Sequence, residues 1–398
     1  MEKFNTAQFV YIIDGVRTPI GSAHKSLKDF DCAFLGAVLI RQILRRNRLS
    51  GKIVDEVIFG NAVGAGQGQN LARQAAIQAG LPARSAAYTV NHVCAGGLTS
   101  VVLGAQSLLS GYSQFVLAGG VESASLTPDL IFHPKQEKDD QKGIIPSLQY
   151  DGLYCQLSER HMGELCEELI DVAGISRRLQ DTYAFQSHRK AYRAQRKKKF
   201  FNEIIPLRID HGQVLNYDER LRKHINRKRL TELPAAFMSG GTVTAGNSSS
   251  PGDGAALVAL ARDELVKKLK IKPLARVVSW SLMGVEPQKV FTASIPCIKQ
   301  CLQRAGLRLK DIDLFEIDEA FAAQAIFTQK RLNIPSHKMN IYGGDLALGH
   351  PLGAAGARIL VTLLHALVDL KKDLGLACVC LGGGGAVSVI IQRIPSHR

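Results

Sequence analysis

Thr89-Val90-Asn91-His92-Val93-Cys94-Ala95-Gly96-Gly97 is the stretch on which the reading of this chain turns. It ends a β-branched run that begins at Ala86. It then opens an apolar segment in which Leu98, Val101, Val102, Ala105, Leu108 and Leu109 recur at helical spacing. The pattern predicts a strand, a sharp turn and a helix, with Cys94 at the helix N-terminus. Unpaired backbone N–H groups and the positive end of the helix dipole favour a thiolate there. The glycines that follow let another backbone, or a substrate, come close. A free cysteine at a strand end also serves as a small core residue. This stretch alone leaves the inert and the reactive cysteine equally open.

Outward from Cys94, strands and helices alternate. Phe9 to Ile13, Glu56 to Val63 and Phe115 to Ala118 read as strands, and Ala33 to Leu44 as a helix. The loop Gly64 to Asn70 fits neither GxGxxG nor GxxxxGK[ST], so it carries no nucleotide signature. After Ser123 the chain becomes more polar and basic, with irregular sequence from Pro128 to Pro146 and an amphipathic helix near Ser176 to Lys199. Strand-like sequence resumes at Asp253 to Leu260. From Ala275 the order restarts: strands at Ala275 to Leu282, Asp313 to Ile317 and Met339 to Tyr342, helices at Ile295 to Ala305, Ala320 to Arg331 and Gly356 to Leu370. Strands at Leu376 to Leu381 and Ala386 to Ile391 close the chain. These alternations predict an α/β fold with a parallel or mixed sheet covered on both faces. The repeated element order points to an internal duplication. We divide the chain into a first half (1–123 and 245–270), an inserted loop domain (124–244) and a second half (271–398).

Bulk properties narrow the function. At 398 residues the chain can bury more than one core, and its composition, 46% hydrophobic with 37 glycines, is that of a soluble α/β protein. A formal charge of +15 fits nucleic acid, an anionic membrane or an anionic small molecule. Much of that charge lies between Arg189 and Arg229, where a solvated basic face explains it equally well, and no nucleic-acid motif accompanies it. Met1 to Gln8 lack the apolar core of a signal peptide, and no apolar run is read as membrane-spanning. A cytoplasmic, reducing setting is expected, with the eight cysteines unpaired. Cys378-x-Cys380 and Cys297-x3-Cys301 lack a second pair at zinc spacing, so no metal is expected.

Three C-terminal clusters stand beside Cys94. In Gly349-His350-Pro351-Leu352-Gly353, a histidine in a glycine and proline loop before a helix is a candidate base for a thiol. In Cys380-Leu381-Gly382-Gly383-Gly384-Gly385, a second cysteine ends a strand in glycine-rich backbone; a tight turn over a buried cysteine accounts for it too. Asp318-Glu319 precedes a helix, where simple N-capping is the plainer account. Together with Cys94 they give two cysteines and a histidine, all on loops at strand C-terminal ends, where α/β folds place their sites.

With these clusters on the page, the chain resembles the thiolases, the family of acetyl-CoA acetyltransferases and 3-ketoacyl-CoA thiolases, over nearly its full length. The matching pieces are Val16-Arg17-Thr18-Pro19, Gly68-Gln69-Asn70, Ala72-Arg73-Gln74, Asn91-His92-Val93-Cys94, Gly119-Gly120-Val121-Glu122-Ser123, His161-Met162-Gly163, Thr244-Ala245-Gly246-Asn247, Gly349-His350-Pro351 and Cys380-x-Gly382-Gly383-Gly384. The resemblance implies a duplicated thiolase-type fold, with two mixed five-stranded sheets in an α-β-α-β-α layering and an inserted loop domain. It implies a ping-pong acyl transfer in which Cys94 takes the acyl group, His350 draws off its proton and Cys380 acts as acid and base. The N–H groups of Cys94 and Gly382 would form one oxyanion hole. His350 and a water held by residue 318 would form the other. By position, Leu153, His161, Arg222 and Ser249 would contact coenzyme A. Acyl-CoA and CoA would be substrates, with no further cofactor, in a homodimer or homotetramer without nucleic-acid or membrane partners.

The chain departs from the family where Asp318 replaces the usual Asn. An ionised Asp within about 5 Å of a developing oxyanion costs roughly 3 kcal/mol at an effective dielectric near 20, about two powers of ten in rate. A protonated Asp318 avoids the penalty, and burial favours that form. Tyr342 and Asp345 replace small or amide residues, Ala355 a common Ser, Gly252 a common Asn, and Ala95-Gly96-Gly97 stands for Gly/Ala-Ser-Gly. Two alternatives follow: an acyl-CoA-binding or scaffold protein with impaired turnover because of Asp318, and a condensing enzyme of the ketoacyl synthase type. The glycine motif at Cys380 argues against the second. Acyl chain length, and synthesis against thiolysis, are not legible.

Overall fold

The β-branched runs pair into one continuous mixed sheet. The computed structural model describes residues 9–132 and 143–395. The strands are β1 (Val10–Arg17), β2 (Glu56–Gly60), β3 (Ala86–Val90), β4 (Phe115–Ser123), β5 (Gly252–Arg262), β6 (Ala275–Gly284), β7 (Leu314–Ile317), β8 (Leu374–Leu381) and β9 (Gly385–Arg393). Their spatial order is β7-β8-β9-β6-β1-β5-β4-β2-β3. The first half contributes β1-β5-β4-β2-β3 and the second β6-β9-β8-β7. Read outward from the β1/β6 junction, the halves repeat each other: two antiparallel ladders, then a parallel one. The fifth place of the second half is filled by a single parallel bridge between Phe315 and Met339. Met339 to Tyr342 is therefore not a strand as the sequence suggested; Asn340 turns its side chain into the Ile317 backbone instead. The halves join where Tyr11 faces Arg276 and Ile12 faces Ala275.

Two helices occupy matching places in the halves, α3 (Gly96–Ser110) and α8 (Leu352–Leu370). The others used below are α1 (Cys32–Arg46), α2 (Leu71–Gln78), α4 (Met162–Ala173), α5 (Arg177–Arg196), α6 (Ser294–Ala305) and α7 (Ala322–Leu332). Helix α8 packs on α3, on β4 and β5 of one half and on β8 of the other, so it lies between the halves. Its start approaches the first half backbone to backbone. A Cβ on Gly353 would come within 2.6 Å of Asn61 Cα, and one on Gly97 within 2.9 Å of the Gly353 oxygen. Only glycine permits that approach. Contrary to the sequence reading, Val93–Ser110 and Leu352–Leu370 are long and apolar enough to cross a membrane. Their apolar surface is spent on the core: 61% and 89% of the residues in those windows are buried.

The segment after Ser123 leaves the sheet and returns at β5. It carries α4 and α5 and three short antiparallel strand pairs, among them Asp129–Ile131 with Ile144–Pro146. Part of the divergent stretch Pro128 to Pro146 lies outside the described residues. Buried charge ties this segment to β1. Arg17 donates to Glu203 at 2.7 Å and forks onto both oxygens of Asp218 at 2.6 and 2.9 Å.

Candidate active site

Strand β3 ends at Val90, and the chain turns sharply before α3. Val93 has φ of +45°, a strained conformation for a β-branched residue. Asn91 braces the turn: its side chain donates to Ala62 O at 3.0 Å and accepts from Val93 N at 3.1 Å. The His92 ring lies 2.7 Å from Thr99 Oγ1. A single 3₁₀ turn, Val93–Ala95, leads into α3 and presents Cys94 half-buried above the helix start.

His350 holds the equivalent place before α8. Its backbone N–H donates to Ser250 O at 2.9 Å, and Gly349 before it needs φ of +104°. Glu122, at the end of β4, joins the two loops. It accepts from Asn61 Nδ2, Ala62 N and Gly353 N at 2.8–2.9 Å and from Val63 N at 3.3 Å. Burial, opposed by those donors, lifts its pKa to about 7. The duplicated fold and the glycine contacts thus carry two helix N-termini, 256 positions apart by subtraction of 94 from 350, to one place.

Cys380 is the penultimate residue of β8, and the turn beyond it runs through Gly383 and Gly384 at φ of +88° and +95°. Its thiol donates to Asp318 Oδ2 at 3.1 Å, and its N–H reaches the same oxygen at 3.3 Å. Asp318 Oδ1 accepts from Ala320 N at 3.0 Å. The helix cap expected of Asp318-Glu319 is not made, because α7 starts later, at Ala322, with Phe321 in the cap position. Asp318 faces Cys380 instead. Burial raises its pKa to about 6, against the pull of His350. Burial, together with the Asp318 charge and its hydrogen bond, pushes the Cys380 thiol well up.

Cys94, His350, Cys380 and Gly382 line one cleft of about 830 Å³ with Leu153, His161 and Ser249. Asp318 touches it through Cys380. Arg222 is not among its lining residues; it lies on a separate basic cleft with Arg189, Arg193 and Arg229. His161 caps α4: its Nδ1 accepts from Gly163 N at 3.0 Å, and its ring stacks on Phe237 at 4.8 Å. Burial lowers its pKa, so the neutral ring carries its proton on Nε2. Sequence reasoning missed the apolar walls: Phe237, Val290, Phe291 and Phe321 come from three separate segments, with no common spacing to reveal them. Among the described residues no cluster of three or more His, Cys, Asp or Glu side chains is placed to hold a metal.

Burial works against an imidazolium at His350, yet the Cys94 and Asp345 charges outweigh it and hold its pKa well above the usual range. Cys94 lines the same cleft as the ring, near enough for its charge to act on it. A thiol, a base that can take its proton and a second thiol on one cleft suit acyl transfer through a thioester.

The N-terminal thiolase domain model matches residues 10–264, and the C-terminal one residues 271–393. The chain belongs to the thiolase family. Among its thiolase relatives, a probable acetyl-CoA acyltransferase of Staphylococcus aureus (strain NCTC 8325 / PS 47) is 41% identical over 389 residues, 96% of this chain and 99% of the relative. The crystal structure of Acat5 thiolase from Ascaris suum in complex with coenzyme A superposes with a TM-score of 0.92 at 37% identity, covering 97% of this chain and 100% of that one. The acetyl-CoA acetyltransferase of Bacillus anthracis gives 0.95 at 34% identity, covering 98% and 100%. The thiolase fold and an acyltransferase activity are therefore shared by this chain.

Proposed function

We propose that this chain carries out the reversible thiolase reaction on acyl-CoA by a ping-pong route. Either two acetyl-CoA condense to acetoacetyl-CoA and CoA, or a 3-ketoacyl-CoA is cleaved by CoA. Cys94 gives its proton to His350, and its sulfur attacks the thioester or keto carbonyl. The N–H groups of Cys94 and Gly382 steady the oxyanion. Cys380 protonates the leaving group and, in the condensing direction, removes the α-proton of the second acetyl-CoA. The observation that carries this reading is the convergence of Cys94, His350, Cys380 and Gly382 on one cleft.

Coenzyme A enters as substrate on the strength of the coenzyme A-bound Ascaris thiolase. Leu153, His161 and Ser249 would hold its pantetheine arm. Arg222, exposed on the basic cleft, would meet its phosphates. No further cofactor is proposed. Both thiols must stay reduced, which goes with the cytoplasm. Among the described residues no further strand pairs with the outer edge of β3, where Ala86, Tyr88 and Thr89 are exposed, a template for a second copy; we infer a homodimer or a larger homo-oligomer. The same reading keeps 1–123 with 245–270, 124–244 and 271–398 as its three units.

The test is intact mass after incubation with acetoacetyl-CoA. Wild type should gain an acetyl group that Cys94→Ala does not, and an undiminished adduct in the variant excludes Cys94. A second reading, binding with little turnover, is favoured by the Asp318 carboxylate against Cys380. It predicts CoA binding without thiolysis, and a coupled assay of acetoacetyl-CoA against longer 3-ketoacyl-CoA separates the two.

A further inference from the structure

His350 Nδ1 lies 3.4 Å from Asp345 Oδ1. Asp345 is fully buried and stands five residues before the histidine, at the start of the short helix Asp345–Leu348. Its own position is fixed from two sides. Arg358 Nη2, from α8, donates to Oδ1 at 2.8 Å, and Glu319 N donates to Oδ2 at 3.0 Å. Among the described residues, neither ring nitrogen of His350 finds a hydrogen-bond partner of good geometry. Nδ1 therefore has a fixed carboxylate just beyond hydrogen-bonding distance, and the ring lines the same cleft as Cys94. Catalytic hydrogen bonds are often this long before the reaction begins and tighten when the charged state forms.

We propose that Asp345 is a positioning residue that completes a Cys94–His350–Asp345 relay, holding the proton on His350 Nδ1 so that Nε2 is left to take the Cys94 proton. The inference rests on Cys94 acting as nucleophile. The transfer balances within the protein: the S–H bond of Cys94 breaks, an N–H bond forms at Nε2, and the ring gains one positive charge as the sulfur gains one negative. Asp345 accepts from Nδ1–H as the contact tightens and does not itself take a proton, the role a buried aspartate plays in a nucleophile–histidine–carboxylate triad.

The surroundings decide that Asp345, rather than a neighbour, carries the charge. Arg358 is 2.8 Å from Asp345 but 4.0 Å from Glu316. Burial drives Glu316 well up, towards its neutral form, despite Arg358. Asp345 goes the other way: burial opposes its charge, but Arg358, His350 and the Glu319 N–H overcome it and hold the carboxyl low. The other charged groups in range are Asp318 and Cys94 towards His350, Glu319 and Glu203 towards Glu316, and Arg17 towards Arg358. Asp345 is thus the anion that faces Nδ1, and the Arg358 contact keeps its oxygen from swinging towards the cleft.

Alkylation by iodoacetamide tests this without turnover, with the modified cysteine identified by peptide mass. In wild type Cys94 should react first across about pH 5.5 to 9. In Asp345→Asn the rate near pH 6.5 should fall about tenfold, and the pH–rate profile should move up by about one unit. The kcat for thiolysis should fall with KM for acyl-CoA unchanged. A folded Asp345→Asn whose profile superposes on wild type overturns the proposal and leaves the nucleophile assignment standing. If another thiol reacts first in wild type, the nucleophile assignment falls and the relay with it. Wild-type protein labelled with ¹⁵N-histidine gives a reading that needs no folded Asp345 variant, with His350 assigned by its loss in His350→Gln. Its Nδ1 should stay protonated over the same pH range, and an Nδ1 that loses its proton there also overturns the proposal.

Discussion

Cys380 Sγ lies 3.1 Å from Asp318 Oδ2, so the second thiol of the cleft donates to a carboxylate where thiolases usually carry an amide. The carboxylate favours the protonated thiol, and in the proposed mechanism its charge, next to a developing oxyanion, opposes the reaction. With its pKa lifted to about 6, Asp318 gains that charge as pH rises through about 6. Asp318→Asn should keep or raise turnover and flatten its decline at high pH. A steady-state pH–rate profile of both proteins checks this, and a strong loss of activity in the variant defeats it.

The same shift has a signed effect on stability. The folded protein binds a proton at Asp318 up to about pH 6, whereas an unfolded Asp releases it near its ordinary 3.8. The unfolded state therefore binds fewer protons between those values, and stability falls as pH rises from about 4 to 6. The loss is up to about 3 kcal/mol above pH 6. Thermal melts should show Asp318→Asn melting above wild type near pH 7.5, with the gap closing towards pH 4.

Cys380→Ser keeps a hydroxyl in place of the thiol but cannot match its acid and base strength. Acetylation of Cys94 by acetyl-CoA should survive in part, because His350 still faces Cys94. Exchange of the acetyl-CoA methyl protons with D₂O, which needs a base at position 380, should fall by roughly 10²- to 10⁴-fold. Undiminished exchange would move the α-proton base elsewhere.

Glu122 receives four donors at the junction of the Cys94 and His350 loops. In Glu122→Leu those buried N–H groups lose their acceptor. The cost should be about 3–5 kcal/mol, read as a lower denaturation midpoint. Acyl-enzyme formation should be lost with it, because Gly353 N anchors the helix start that follows His350. Glu122→Gln retains one acceptor oxygen and should lose less on both measures.

Arg17→Ala should leave Glu203 and Asp218 buried without their cation. A drop of about 3–5 kcal/mol in urea unfolding is expected. The segment 124–244 should also be cleaved earlier by protease, because Ile20 N and Arg17 both hold it through Asp218.

The elements were legible in the sequence because their physics is local. Helical spacing from Leu98 to Leu109 and β-branched runs at Ala86 and Ala275 predicted α3, β3 and β6 to within a few residues. Where the reading erred, a distant partner decided. Met339 to Tyr342 has strand-like residues, but only Met339 finds a bridge, opposite Phe315. Strand β4 runs through Gly119 and Gly120 to Ser123 because β5 lies antiparallel to its whole length. Asp345 registered only as an unusual residue, since nothing local tells that Arg358 on the next helix and His350 on the next loop will share its Oδ1.

By itself, then, the sequence determined the alternation of strands and helices, the repeat of that order in two halves, and the three candidate catalytic side chains with their glycine-rich surroundings, because each depends on residue type over a few neighbouring positions. Only the tertiary structure decided that Cys94 and His350 meet at the paired starts of α3 and α8, that Asp318 faces Cys380 rather than capping a helix, and that Arg222 lines the basic cleft rather than the one holding Cys94. Close backbone packing at Gly97 and Gly353 and charge pairing in a buried interior fix those relations, and both join residues that the chain itself keeps far apart.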